Sequence, residues 1–372
     1  MKVLVNSKDL NGISYLLHQQ GLNSLSNVYF NDFANYQEYD VVLFFKYNLL
    51  TSDLEKAKDR NNNLLIGIID PRQNLSKQFR RFVDFIVVDS IEMRDFYSYL
   101  RKPILNYYEF QNTLLEKKSK KGEIIHIGYH GNKVHLLSMY PTISSVIREL
   151  SKKYSIKLLL LYNHKTLGKL PNFITEGIDI EYLQWNKENL NYFLDKTDIG
   201  IVPNFTPISF NKFLKFMSVP FRKTFVTHSS DYLVRYKMTS GPNRILLFAL
   251  NKIPVVSDMY PSACQLIEDE FDGFLANSSH GWYDSIEKLI KSEKLRKTFS
   301  AKMHQKFERK YNYKIQNEFF YKSLKHLTRL KNENISREYV MIQTKRTIAP
   351  QVYFITKEFY AQLKGIFIKL FR

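Results

Sequence analysis

The sequence predicts an α/β protein built from two doubly wound domains that face each other. Apolar runs rich in Val, Ile and Leu alternate with stretches that suit helices, and this alternation occurs twice along the 372 residues. Nearly continuous apolar runs are typical of parallel strands that helices cover on both faces. At roughly 100–200 residues per domain, the length also suggests two domains. Ligands of such domains bind beyond the carboxyl ends of the strands.

The first block of alternating runs predicts an N-terminal domain over residues 1–115. Its apolar runs predict strands at Lys2–Asn6, Asn27–Phe30, Val41–Phe45, Leu64–Ile69, Phe85–Val88 and Ile104–Tyr108. Helical stretches between them indicate βαβ units. The charged segment Glu116–Gly122 follows and is predicted to be a linker between the domains.

The second block predicts another doubly wound domain over residues 122–305. We expect strands at Glu123–Tyr129, Ile156–Tyr162, Asp179–Leu183, Ile199–Pro203, Ile253–Ser257 and Gly273–Ala276. We expect helices at Met139–Lys153, Glu188–Asp195, Asn243–Leu250, Ser285–Ser292 and Lys294–Lys331. Residues 306–331 of the last helix are predicted to cross back to the N-terminal domain. The aromatic-rich stretch between Asn204 and Lys237 is irregular, which suits either a functional lid or an insertion without a role.

The composition of the chain indicates the cellular compartment in which we expect the protein. The single cysteine, Cys264, excludes an internal disulfide framework and favours a reducing compartment. We expect Cys264 to be a small buried hydrophobe. Met1 leads directly into a strand-like run, so no signal peptide is recognised. No apolar run has the length needed to span a bilayer. We therefore expect a cytoplasmic protein.

Positive charge is concentrated at the carboxyl end of the chain. The net charge is +19, and Lys294–Arg372 holds 19 lysines and arginines against 5 acidic residues, a surplus of 14. Residues 345–372 are predicted to form a basic tail, with an amphipathic helix over Gln351–Arg372. Its apolar stripe consists of Val352, Ile355, Phe359, Leu363, Ile366, Phe367 and Leu370. Such helices bind anionic membrane surfaces. Docking on the protein's own core is the alternative, and without a nucleic-acid-binding motif we expect no nucleic acid partner.

A predicted phosphate site lies where a loop leads into the helix at Asn243. The loop carries Lys237, Ser240 and Gly241, and Arg244 follows in the first helical turn. The free N–H groups and the dipole at a helix start favour an anion, and the cations add to this effect. A diphosphate suits this pattern. An ordinary capped helix with surface cations is the alternative interpretation.

A second candidate phosphate loop follows the strand that begins near Ile125. It contains His130, Gly131, Asn132 and Lys133. Glycine allows a backbone to approach a phosphate closely. The alternative is an ordinary turn between a strand and a helix.

Four segments together resemble the C-terminal domain of GT-B glycosyltransferases. They are Asp198–Pro203, Ser240–Arg244, Lys252–Ser257 and Gly273–Ala276, and the Gly131 turn matches the first loop of that domain. Their order is similar to that in bacterial polysaccharide and lipopolysaccharide transferases of glycosyltransferase families 4 and 1. The resemblance covers about the last two thirds of the chain by element order. It covers the N-terminal part by architecture alone.

The chain departs from this family pattern in the first loop, where the usual Arg and Lys are reduced to Lys133, and at three further positions. Many members carry two glutamates around the donor helix, and Thr239 and Leu247 stand there. Lys252 replaces the glycine before Ile-Pro-Val. The stereochemical outcome, retaining or inverting, is therefore left open.

The resemblance implies a GT-B fold of two Rossmann-like domains with a cleft between them. It also implies a nucleotide-sugar donor held by the C-terminal domain. It places the nucleotide base near Tyr162, Trp185 or Pro203, at strand ends. It places the acceptor against the N-terminal domain, with Asn11 and Gly12 lining the cleft.

Two residues are candidates for a general base towards an acceptor hydroxyl. Asp70 ends a strand that faces the cleft, although it also suits a simple turn before Pro71. His130 is the second candidate. No metal-ligand spacing and no Asp-x-Asp triplet occur, so we expect a metal-independent enzyme without a cofactor besides the nucleotide-sugar.

The function that these expectations favour is transfer of a hexose-like sugar to a membrane-associated glycan or glycolipid. This belongs to the synthesis of cell-surface polysaccharide at the inner face of a bacterial membrane. A GT-B-like polyol-phosphate transferase would share the diphosphate site. A non-catalytic membrane- or nucleic-acid-binding protein with a transferase-like fold is the third possibility, which the missing glutamates support.

Overall fold

The computed structural model describes residues 1–10, 13–45, 49–71, 77–108, 124–207, 234–236 and 241–332. They belong to one compact unit, Met1–Ile335, and Ser336–Arg372 form a second unit outside the described ranges. The predicted linker, the basic tail and most of the aromatic-rich stretch also lie outside them. In the described part of the chain, no helix is long and apolar enough to cross a membrane.

The N-terminal part forms a parallel six-stranded sheet in the order β2-β1-β3-β4-β5-β6. The strands are β1 (Val3–Asn6), β2 (Val28–Phe30), β3 (Val41–Phe45), β4 (Leu65–Ile69), β5 (Phe85–Val88) and β6 (Ile104–Asn106). The helices are α1 (Ile13–Leu22), α2 (Thr51–Arg60), α3 (Lys77–Phe82) and α4 (Ile91–Tyr97), with short 3-10 turns at Tyr36–Glu38 and Ser98–Leu100. Every residue of β3 and β4 is buried, as the continuous apolar runs predict.

The second part forms another parallel six-stranded sheet, in the order β14-β13-β10-β7-β8-β9. Its strands are β7 (Ile125–His130), β8 (Ile156–Tyr162), β9 (Ile180–Gln184), β10 (Ile199–Val202), β13 (Val255–Ser257) and β14 (Phe274–Leu275). An antiparallel pair, β11 (Phe205–Pro207) and β12 (Val234–Tyr236), brackets most of the aromatic-rich stretch. These two parallel sheets confirm the predicted fold class.

Ten helices lie between β7 and the end of the described chain. They are α5 (Lys133–Leu136), α6 (Thr142–Ser151), α7 (His164–Leu167), α8 (Asn172–Thr175), α9 (Lys187–Lys196), α10 (Asn243–Leu250), α11 (Pro261–Leu266), α12 (Ser279–Lys291), α13 (Glu293–Lys310) and α14 (Tyr313–Asn332). A 3-10 turn at Leu137–Met139 precedes α6. Because α10 lies between β10 and β13 in the chain, it is the helix that follows β10 at the edge where ligands bind.

Two predicted helices differ from the structure. Lys294–Lys331 is two helices, because α13 ends at Lys310 and the side chain of Asn312 accepts a hydrogen bond from the N–H of Ile315 at the start of α14. Helix α12 begins at Ser279 rather than Ser285, because the Ser278 hydroxyl accepts from the Gly281 N–H and caps it. The prediction that Cys264 is buried is wrong as well, because the structure places this residue at the surface.

Helix α14 packs against the first sheet. Its buried Asn317 donates to the Gly21 carbonyl (2.7 Å) and the Ser24 hydroxyl (2.6 Å), and accepts from the Tyr107 hydroxyl (2.6 Å). Tyr108, two residues after β6, packs edge to face on Tyr311, which lies between α13 and α14. The centroids of the two rings are 5.5 Å apart. The two points where the chain passes between the sheets therefore meet at one aromatic contact.

Asn317→Ala should destabilise the protein by about 2–3 kcal/mol, because the three hydrogen bonds of this buried amide are lost at once. Urea unfolding measures this change. The control is Lys322→Ala on the exposed face of α14, where the ion pair with Glu318 is solvated. That variant should change the free energy by less than about 0.5 kcal/mol. Equal losses in the two variants would contradict the role given to Asn317.

Candidate functional site

The candidate site lies at the point where the second sheet changes its winding direction. Strand β8 lies on one side of β7 and β10 lies on the other. Because crossovers are right-handed, the segments that follow β7 and β10 leave towards opposite faces of the sheet. This topology predicts a crevice between the carboxyl ends of these two strands, and ligands of open α/β sheets bind in such crevices.

The turn after β7 forms one wall of this crevice. Gly131 has a φ of 136°, a conformation that favours glycine. A Cβ atom there would lie 2.9 Å from the Tyr129 hydroxyl and 3.2 Å from Cδ of Arg244. The Asn132 side chain caps α5 by accepting from the Val134 N–H (2.9 Å), and Nζ of Lys133 donates to the Leu167 carbonyl (2.8 Å). Their predicted phosphate contacts thus stay predictions, since both side chains already have protein partners.

The opposite wall is the start of α10, held by a buried arginine. Arg244 donates from Nη1 to the Pro203 carbonyl and from Nη2 to Oδ1 of Asn204, both over 2.7 Å. Its guanidinium also lies 5.6 Å from the centre of the Tyr129 ring. Only 7% of Arg244 is exposed. The residue therefore supplies positive charge from beneath the crevice and fixes the loop after β10.

Asp258 extends this network from the end of β13. Its Oδ2 accepts from the N–H groups of Asn204 (2.6 Å) and Phe205 (2.9 Å). Burial raises the pKa of Asp258 to about 6, although the two backbone donors and the charge of Arg244 oppose the shift. The sequence prediction omits Asn204 and Asp258. The signal that points to them is their location just after strands, since Asn204 lies two residues after β10 and Asp258 directly after β13.

The surroundings of His130 bear on the general-base role predicted for it. Its ring is buried, with the Phe193 and Phe248 rings at 5.9 and 5.2 Å. Burial, and then the positive charge of Arg244, lower the pKa of His130 to about 3. A neutral imidazole with so low a pKa is a weak base. The general-base role of His130 stays a prediction, and the burial and low pKa of the ring disfavour that role.

Asp70 lies where the sequence places it, at the carboxyl end of β4. It is buried, has a φ of 47°, and donates its N–H to the Val87 carbonyl over 2.9 Å. Its catalytic role stays a prediction. Four further predicted residues lie outside the described residues: Asn11, Gly12, Lys237 and Ser240.

The three predicted base-contact residues have different surroundings. Tyr162 is buried, and its hydroxyl donates to the Gly168 carbonyl over 2.9 Å, so its ring is not open to a ligand. Trp185 is half-buried against the core. Pro203 is at the crevice, where its carbonyl binds Arg244. Pro203 is itself buried, and the predicted base contacts stay predictions.

The N-terminal domain contributes two acidic residues that the sequence prediction omits. Oδ2 of Asp89, directly after β5, accepts from Nδ2 of Asn243 over 2.9 Å. Glu92 in α4 accepts from the Ser262 hydroxyl of α11. Burial raises the pKa of Glu92. The two domains thus touch at the start of α10.

No group of His, Cys, Asp and Glu in the described ranges lies together in a way that could hold a metal ion. The expectation of metal-independent chemistry without a cofactor remains a prediction.

Comparisons with known proteins identify the fold. Neither a protein-family model nor a curated protein sequence matches the chain. Among solved structures, Anabaena HepE in complex with UDP and glucose aligns with a TM-score of 0.60 at 12% identity, over 87% of this chain and 99% of HepE. A glycosyltransferase from Rickettsia africae aligns with a TM-score of 0.57 at 11% identity, over 88% of this chain and 98% of that protein.

A mutant of Staphylococcus aureus TarM, in complex with UDP, fondaparinux and α-GlcNAc-glycerol, aligns with a TM-score of 0.50 at 12% identity. That alignment covers 76% of this chain, which spans 55% of the TarM chain. At these identities the likeness concerns the fold, which is the GT-B fold of glycosyltransferases, as the sequence predicted.

The buried His130 should make folding stability depend on pH. Between its ordinary pKa of 6.5 and its folded value of about 3, the unfolded chain binds a proton that the folded chain does not. Stability is therefore lost as the pH falls through this range, by at most ~1.4 kcal/mol per pH unit. His130→Gln should remove this loss, as urea unfolding at about pH 7 and about pH 5 would show.

Asp258 titrates in the wild type and in His130→Gln alike, so the difference between their two pH profiles reports on His130. The control is His280→Gln, which changes an exposed ring and should follow the wild-type pH profile. A His130→Gln profile parallel to the wild type would contradict this prediction, because it would show that the imidazole binds its proton equally in the folded and unfolded chain.

Proposed function

We propose that the protein is a glycosyltransferase that moves a sugar from a nucleotide-sugar donor to an acceptor in the cleft between its domains. One observation carries the proposal. The N-terminus of α10, with the Arg244 guanidinium beneath it, lies at the winding switch of the second sheet and faces the N-terminal domain. This is where a GT-B fold can hold a diphosphate, and the similar fold of HepE has been solved with UDP and glucose.

In sugar transfer from a nucleotide-sugar, the protein acts mainly by stabilising negative charge on the departing nucleoside diphosphate. The first N–H groups of α10 and its dipole supply fixed positive ends. The Arg244 charge reinforces them from a buried position, where low dielectric strengthens electrostatic attraction. A carboxylate of the N-terminal domain, for which Asp70 is the predicted residue, would accept the proton of the acceptor hydroxyl.

For the acceptor, we propose a glycan or glycolipid at the inner face of the cell membrane, within cell-surface polysaccharide synthesis. The support comes from the surplus of 14 positive charges in Lys294–Arg372 and from the apolar stripe of the predicted tail helix. Within about 10 Å of an anionic leaflet, each lysine or arginine adds roughly 1 kcal/mol of attraction.

Nucleotide binding is the first test of the donor site. A ligand at ~100 times its dissociation constant stabilises a folded protein by about 2.7 kcal/mol. Thermal unfolding of the full chain with UDP, GDP, CDP or ADP should therefore show a clear rise in Tm with one nucleotide. The matching nucleoside is the control, because it lacks the diphosphate. A rise with CDP alone would favour a polyol-phosphate transferase, and no rise with any nucleotide would contradict the proposed donor site.

Membrane binding has a separate test. Deleting Gln351–Arg372 should release the protein from vesicles that contain anionic phosphatidylglycerol, as measured by co-sedimentation. Replacing Lys357, Lys364 and Lys369 by Gln should weaken binding while the apolar stripe is kept. Binding that survives the deletion would place the membrane contact elsewhere in the chain.

A further inference from the structure

A carboxylate from the N-terminal domain lies at the start of the donor helix. Asp89 is 2% exposed, and its Oδ2 accepts from Nδ2 of Asn243, the first residue of α10, over 2.9 Å. The same oxygen lies so close to Gly241 that a Cβ atom there would collide with it. The absence of a side chain at Gly241 is therefore what allows the carboxylate to reach this end of the helix.

A second contact supports the same arrangement. Helix α4, which begins two residues after Asp89, packs on α11 of the C-terminal domain. Between them the Glu92 carboxylate, also 2% exposed, accepts from the Ser262 hydroxyl. The segment from Asp89 to Glu92 thus holds the two domains together at the mouth of the crevice.

We infer that Asp89 is an internal anion that occupies the diphosphate site when no donor is bound, and that the donor binds by displacing it. The inference rests on the proposed function. The features that suit a diphosphate, the helix N-terminus and the buried Arg244 charge, also attract a carboxylate. The two anions exclude each other because like charges repel and because the close approach at Gly241 leaves no space between carboxylate and backbone.

Displacement has a thermodynamic consequence. A site that is open in only a fraction of the molecules shows an apparent affinity reduced by that fraction. The Asp89 contact therefore weakens nucleotide binding, and binding of a nucleotide loosens the domain contact by the same factor. The Asp89 contact thus holds the two domains together when no donor is bound, and the domains separate when the donor binds.

The test is isothermal titration of UDP into the full chain and into Asp89→Asn, which keeps the size of the side chain and removes its charge. Loss of the charge should lower the dissociation constant about tenfold. Asp95→Asn is the matched control, because it removes one charge from the exposed face of α4 and should leave the constant unchanged. Asp89→Ala serves as the second variant if the amide perturbs folding, which thermal unfolding reports.

The outcomes of this titration test the displacement by Asp89 and the donor site separately. Tighter binding by both Asp89 variants, with Asp95→Asn unchanged, supports displacement. Equal or weaker binding by the Asp89 variants overturns it while leaving the donor site intact. If none of the proteins binds UDP or another nucleoside diphosphate, the proposed donor site itself is wrong and displacement falls with it.

Discussion

The hydrogen-bonded guanidinium of Arg244 is the interaction on which the candidate site depends. Burying an isolated charge is costly, and the cost is met here by the Pro203 carbonyl, the Asn204 side chain and the nearby Asp258 carboxylate. These partners belong to the ends of β10 and β13, so one side chain ties two strands to the first turn of α10. Because the charge is fixed in place, it needs little reorganisation when an anion arrives.

The polar residues of the site follow from a single property of parallel sheets. All strands of such a sheet end at the same edge, so the residue after each strand reaches a shared surface. Asp70 and Asp89 follow β4 and β5 at the edge of the first sheet, and Asp258 follows β13 at the edge of the second. The interiors of these strands are apolar, and the transition to a polar residue marks the edge of each sheet.

The fold class and the region of the site were predictable from the sequence because both depend on local patterns. Continuous apolar runs such as Val41–Phe45 indicate buried parallel strands, and the loop before Asn243 indicates a helix start. The break in Lys294–Lys331 was not predictable, because the Tyr311-Asn312-Tyr313 stretch contains neither Gly nor Pro and keeps apolar residues in register. The side chain of Asn312 ends up as a cap, a role that helix periodicity does not reveal.

The contacts within the site required the structure. Arg244 is buried because of partners 40 and 41 residues away in the chain, and Asn243 meets Asp89 across 154 residues. No local pattern reports contacts at such separations. For His130, the sequence identifies a titratable ring near a turn. The low pKa comes from the Phe193 and Phe248 rings and the charge that surround it in three dimensions.

The contact between Tyr108 and Tyr311 has a mechanical consequence. One tyrosine precedes the segment that leads into the second sheet, and the other separates α13 from α14, where the chain returns. Both connections between the two domains therefore lie next to this contact. The domains can rotate about it as a common hinge, because only a few backbone angles there need to change. Displacement grows with distance from a pivot, so a small rotation at these rings becomes a wide change in the gap at the opposite edge.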